Sequence, residues 1–103
     1  MKEVILSHDS EAVIYLVPDE VADNLEKYCW DFAANWVWHG PEKGKFLRPF
    51  EEGIMGAVFG APDFIDYLTR HAFPQEPSSR VKGLGCYDYE IPEEYSHLLR
   101  YNF

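Results

Sequence analysis

The chain has 103 residues, the length of about one small domain. At 47% hydrophobic and 17% aromatic it is too apolar for a disordered segment, and 9 Lys+Arg against 18 Asp+Glu leave a net charge of −9. That balance excludes nonspecific nucleic-acid binding, which rests on Lys and Arg releasing phosphate counterions, so no direct nucleic-acid partner is expected.

Val4-Ile5-Leu6 and Ala12-Val13-Ile14-Tyr15-Leu16-Val17 are rich in β-branched and aromatic residues. They predict strands over 3–7 and 11–17, joined by the polar turn His8-Asp9-Ser10 into a hairpin. Neither run alternates cleanly, which predicts burial on both faces. Residues 19–39 predict a long helix. Val21, Leu25, Tyr28, Phe32 and Trp36 step by three and four, and Ala22, Cys29, Ala33 and Val37 widen the stripe. Asp19 reads as the N-cap, Glu20 and Asp23 suit the positive end of the helix dipole, and Gly40-Pro41 is the stop.

Glycine and proline break the periodicity of residues 40–53, which predicts a loop. Lys43, Lys45 and Arg48 lie there against Glu42, the one local excess of positive charge along the chain. Ile54-Met55-Gly56-Ala57-Val58-Phe59 reads as a buried strand with close backbone approach at its glycines. A second helix comes next over 62–73, with Pro62 and Asp63 in its first turn and Arg70 and His71 in its last. Phe64, Ile65, Leu68 and Ala72 face inward, and Pro74 ends it. Residues 74–80 read as a loop, 81–89 as a strand broken by Gly83 and Gly85, and 92–100 as one or two helical turns. The order β-β-α-β-α-β plus a short C-terminal helix predicts a single α+β domain over 1–103. Its sheet has about four strands, mostly antiparallel or mixed, with two main helices. A right-handed crossover from 54–59 to 81–89 would make it mixed.

Chemistry-bearing motifs are sparse. His8, His39, His71, His97, Cys29 and Cys86 show no metal-ligand spacing, so no metal and no cofactor are expected. Ser7-His8-Asp9-Ser10 contains triad residue types, but adjacent residues do not converge as a triad must, and turn chemistry explains them. Cys86 after Gly85 would need a nearby histidine and a lowered pKa to act as a nucleophile. Both cysteines read as reduced core thiols. The glycines at 53, 56 and 60 lack a P-loop ending. Glu51-Glu52 and Glu93-Glu94 read as solvated carboxylates rather than an acid–base pair, which needs two different environments. No catalytic residue is assigned, and the balance leans away from an enzyme.

Two surfaces stand out. Trp38 and His39 end the long helix beside Lys43, Lys45 and Arg48, the residue types of a contact surface, although a loop folded over Trp38 is the more ordinary explanation. Asp19, Asp23 and Glu26, with Asp9, Glu11, Glu20 and Asp31, crowd the first third of the chain. Such charge often serves solubility alone, but it also suits a basic partner.

The stretch Pro18 to Phe32, PDEVADNLEKYCWDF, and Asp63-Phe64-Ile65-Asp66-Tyr67-Leu68 with Phe73-Pro74 resemble a group of small, acidic, uncharacterised proteins of anaerobic gut bacteria, often carried on mobile elements. The resemblance implies a cytosolic bacterial accessory protein and carries over no functional residue. No apolar run reaches the roughly 18 residues of a membrane span, and Met1–Leu6 lacks a signal-peptide core, so a cytoplasmic protein without a membrane partner is expected.

The expected function is a non-enzymatic acidic binding or regulatory module acting by protein–protein contact, blocking a basic partner. One alternative is a small-molecule-binding domain or small enzyme. Its pocket would lie between the sheet and the 40–53 loop, with Tyr87, Tyr89 or Cys86 as handles. Another is a homodimer or larger homo-oligomer formed through a sheet edge or an aromatic surface.

Overall fold

A computed structural model describes residues 1–8, 11–86 and 91–103, with nothing described of the Cys86 side chain. The predicted hairpin is present as β1 (Lys2–His8) and β2 (Glu11–Val17), paired antiparallel from Lys2↔Val17 to His8↔Glu11. β5 (Ser79–Cys86) joins β2 antiparallel, and β6 (Arg100–Asn102) joins β1 in parallel. The result is a four-stranded mixed sheet in the order β5-β2-β1-β6.

The hairpin is buried on both faces, as its unbroken apolar runs required. Val4, Leu6, Val13, Tyr15 and Val17 point into the main core under the helices. Ile5, Ala12 and Ile14 point the other way and form a second, smaller core with Leu84, covered by Ile91, Tyr95 and Leu98.

The long apolar stripe forms α1 (Asp19–Asp23), α2 (Leu25–Asp31), a π-helical turn (Phe32–Trp36) and α3 (Val37–His39). Asn24 interrupts it. Its backbone leaves the helical region at φ −132°, and its side-chain amide donates to the Glu20 carbonyl at 3.0 Å. Asparagine offers the backbone such local alternatives to the helix. Pro18, not Asp19, takes the N-cap position. The Asp19 carboxylate lies 2.8 Å from the Met1 amino group, and that contact holds it below the usual carboxylate range.

The second helix, α5 (Ala61–Tyr67), also runs into a π turn (Leu68–Ala72). Asp63 caps it by accepting a hydrogen bond from the Gly60 N–H at 2.9 Å. The two π turns face each other through aromatic rings: Phe32 and Trp36 lie 5.3 and 4.8 Å from Tyr67, and Trp36 lies 4.7 Å from His71, centroid to centroid. Phe32 is fully buried and meets Phe46, Phe59, Phe64 and Phe103 edge-on.

Three segments differ from expectation. Residues 40–53 are not a plain loop: they contain the helical turn α4 (Lys43–Phe46) and β3 (Leu47–Pro49), because Phe46 is apolar enough to anchor the turn in the main core. The strand expected over 54–59 is short, β4 (Met55–Ala57). It pairs with β3 in a separate two-stranded sheet, so there is no crossover from it to β5 within one sheet. Ile54, Met55 and Val58 are exposed rather than buried. The C-terminal segment makes one 3-10 turn (Glu93–Tyr95) and then extends as β6. There Phe103 N–H donates to the Ser7 carbonyl at 2.8 Å and its ring enters the aromatic core. The end of the strand expected over 81–89 lies outside the described residues.

Candidate functional site

The residues singled out in sequence fall into two groups on the fold. Asp19, Asp23 and Glu26 lie at the start of the α1–α3 helix; Trp38, His39, Lys43, Lys45 and Arg48 lie at and beyond its far end. Glu26 and Trp38 are roughly 18 Å apart along the axis at 1.5 Å per residue.

The second group does not form an open cationic patch around an exposed tryptophan. Trp38 is half-buried and packs on the main core. Lys45 turns to Asp63 and Asp66 at 3.8 and 4.0 Å. Arg48 donates to the carbonyls of Leu47 and Gly44 at 2.9 and 3.3 Å. His39 and Lys43 are exposed. The adjoining β3–β4 hairpin carries four exposed apolar side chains, Phe50, Ile54, Met55 and Val58. Phe50 lies so close over Gly56 that a Cβ there would meet its ring.

The first group borders a groove. An open cleft of about 880 Å³ runs beside α2 and is lined by Asp23, Glu26, Tyr28, Trp30, Asp31 and Leu99, among others. Trp30 is 63% exposed and Leu99 54%. A smaller cleft of about 330 Å³, shared through Asp23 and Leu99, extends past Lys2 and His97. Residues 19–31 hold five carboxylates, Asp19, Glu20, Asp23, Glu26 and Asp31, against Lys27 alone. Three cations temper this field: Lys27 and Arg100 line the groove, Arg100 donating to Ser7 Oγ at 3.2 Å, and Lys2 pairs with Asp23 at 2.6 Å. The groove therefore offers two apolar anchors between three carboxylates, Asp23, Glu26 and Asp31, and two cations, Lys27 and Arg100.

Asp31 belongs to the acidic set the sequence offers, but Trp30 and Leu99 are not singled out there as part of a site. The available signal was that Trp30 falls off the apolar stripe of its helix. Leu99 gave none, because its place beside α2 depends on β6 pairing with β1.

Among the described residues no group of three or more His, Cys, Asp or Glu is arranged to hold a metal ion. Cys29 is fully buried, and burial pushes its thiol up to about 12, which suits a packing role rather than a nucleophilic one. The pocket handles expected at Tyr87 and Tyr89 lie outside the described residues, as does the Cys86 side chain. Among the described residues no helix is long and apolar enough to cross a membrane. No family model, curated protein or solved structure matches the chain.

Proposed function

We propose that the protein is a non-enzymatic binding module whose α2 groove takes a basic, apolar-anchored segment of a partner protein. The observation that carries this reading is Trp30, a large apolar side chain left 63% exposed beside an equally open Leu99, with Glu26 and Asp31 along the same groove. Tryptophan is enriched among the residues that dominate interface energies, and its ring face attracts Arg and Lys side chains. The net charge of −9 speeds encounter with a basic partner and makes the association salt-sensitive. The anchor is Trp30 rather than Trp38.

The test is selection from a random peptide library, with affinities then measured at two salt concentrations. Basic peptides with one or two apolar residues are expected. Their affinity should fall about thirtyfold for Trp30→Ala, the size of a hot-spot loss. It should fall further when Asp23 and Glu26 are both changed to Lys. Peptides with no basic bias, or equal binding to Trp30→Ala, would refute the assignment.

A second reading is favoured by a different observation. The β3–β4 hairpin is a two-stranded sheet with four exposed apolar side chains, and such a hairpin is suited to pairing with a second copy of the chain. Sedimentation across a concentration series tests it. A dimer lost in Ile54→Lys supports homodimerisation, and a ~12 kDa species at every concentration removes it.

A further inference from the structure

The opposite half of the sheet carries a second concavity, walled by β1, β2, β5 and the start of α5. Its volume is about 400 Å³, inside the roughly 300–1,000 Å³ of small-ligand sites. The apolar side is made by Leu6, Val13, Ala61 and Ile65, and the polar side by Glu11, Tyr15, Ser78 and Arg80. The His8 ring closes one end, packed so tightly on Gly60 that a Cβ there would lie 2.7 Å from it.

The placement of the polar groups comes from the β2–β5 ladder. Tyr15 pairs with Arg80 and Val13 with Gly83, with register shifts between Ala12 and Val13 and between Ile14 and Tyr15. Arg80 folds back along its own strand, and its guanidinium occupies the space beside Gly83, where a Cβ would be 2.5 Å from Nη2. The Tyr15 hydroxyl feels both neighbouring charges. Burial pushes its pKa up, Arg80 pulls it down and Glu11 raises it. Yet Arg80 and Glu11 form no ion pair with each other or with another described residue. Two opposite charges are thus held near one hydroxyl, each available to a ligand.

Ser78 supplies an independent sign. The residue is more than nine-tenths buried and its backbone is clamped. Its N–H donates to Thr69 Oγ1 at 3.2 Å, and that hydroxyl donates to the Ser78 carbonyl at 3.3 Å. Its own Oγ is buried with no hydrogen-bond partner among the described residues. A buried hydroxyl left unpaired is costly, and the usual resolution is a group that completes it.

We propose that this cleft binds a small zwitterion, a free α-amino acid with an apolar side chain: carboxylate on Arg80, ammonium on Glu11, side chain against Leu6, Val13 and Ile65. The planar guanidinium matches a carboxylate by two parallel hydrogen bonds. Ser78 Oγ and the Tyr15 hydroxyl supply the remaining polar contacts. Glu11 disfavours a doubly charged phosphate in the same place.

Calorimetric titration with L-leucine, L-valine and L-phenylalanine tests the proposal. Two leucine analogues accompany them: 4-methylpentanoate, which lacks the ammonium, and 3-methylbutylamine, which lacks the carboxylate. At least one amino acid should bind saturably, and both leucine analogues should bind about tenfold or more weakly than leucine. Arg80→Gln should weaken leucine and 4-methylpentanoate together, whereas Glu11→Gln should weaken leucine alone. Both side chains are exposed, so these variants keep the fold, which circular dichroism checks. Ser78→Ala should weaken leucine while leaving the melting temperature of the free protein unchanged or higher, a pairing of effects that simple damage would not give. No saturable binding by any of the three amino acids, equal affinity for 4-methylpentanoate and leucine, or leucine binding indifferent to Arg80→Gln would each overturn it.

Discussion

Cys29 gives a prediction whose size the structure sets. The thiol is fully buried in the main core, and burial raises its pKa from 9.0 to about 12. In the unfolded chain the same thiol ionises near the lower value. Below pH 9 it is neutral in both states and imposes no penalty. Above pH 9 the unfolded chain releases the proton and the folded one does not, so stability falls as pH rises toward 12. The full difference is worth about 4 kcal/mol. Between about pH 9 and pH 10 the loss is about 1 kcal/mol, before the tyrosines with raised pKa values contribute strongly. Urea unfolding of the wild type and of Cys29→Ala across that window isolates the effect, because the remaining groups titrate in both. The gap between the two unfolding free energies should shift by about 1 kcal/mol against the wild type as pH rises from 9 to 10. The absolute cost of the small cavity in Cys29→Ala cancels from that comparison. Parallel pH profiles would mean that the native thiol ionises freely, and the core around α2 would not be sealed as described.

Phe32→Ala removes the ring at the centre of the aromatic cluster and should cost about 3–5 kcal/mol in urea unfolding; a loss below about 1 kcal/mol would show that the cluster is not the core. Glu52 sits at φ +62° in the turn before β4, a left-handed conformation that costs a non-glycine residue about 1 kcal/mol. Glu52→Asn should therefore raise the urea midpoint, and an unchanged or lower midpoint would count against the turn geometry. Arg70 joins Glu42 and Asp66 at 2.7 and 2.6 Å, and its hydrogen bonds hold both carboxyls below their ordinary values of 4.5 and 3.8. The stability this adds is present above those values and is lost as pH falls through the lowered ones. Arg70→Gln should flatten the acid limb of a thermal-stability profile, and an unchanged limb would refute the pairing.

Local pattern was enough for the hairpin of β1 and β2, the two long apolar helices and their Gly40-Pro41 and Pro74 boundaries. Those features depend on residues a few positions apart, which composition and periodicity report directly. The acidic start of the first helix was legible for the same reason. The remainder depends on contacts between distant residues. Three residues at 100–102 carry no period of their own, and they become a strand because β1 offers a parallel edge and Phe103 fills the aromatic core. The segment at 54–59 has the composition of an inner strand, yet β3 pairs with it outside the main sheet. Trp38 packs half-buried on the main core, while Trp30 stays in the open beside Leu99, a division that depends on which distant segments cover each ring. Arg80 comes opposite Tyr15 through an irregular strand ladder that no motif encodes. Residue order alone was sufficient for the β1–β2 hairpin, the two main helices and the acidic composition. Tertiary packing chose which side chains stayed exposed and which distant charges came together, because burial and register are properties of paired segments rather than of either one alone.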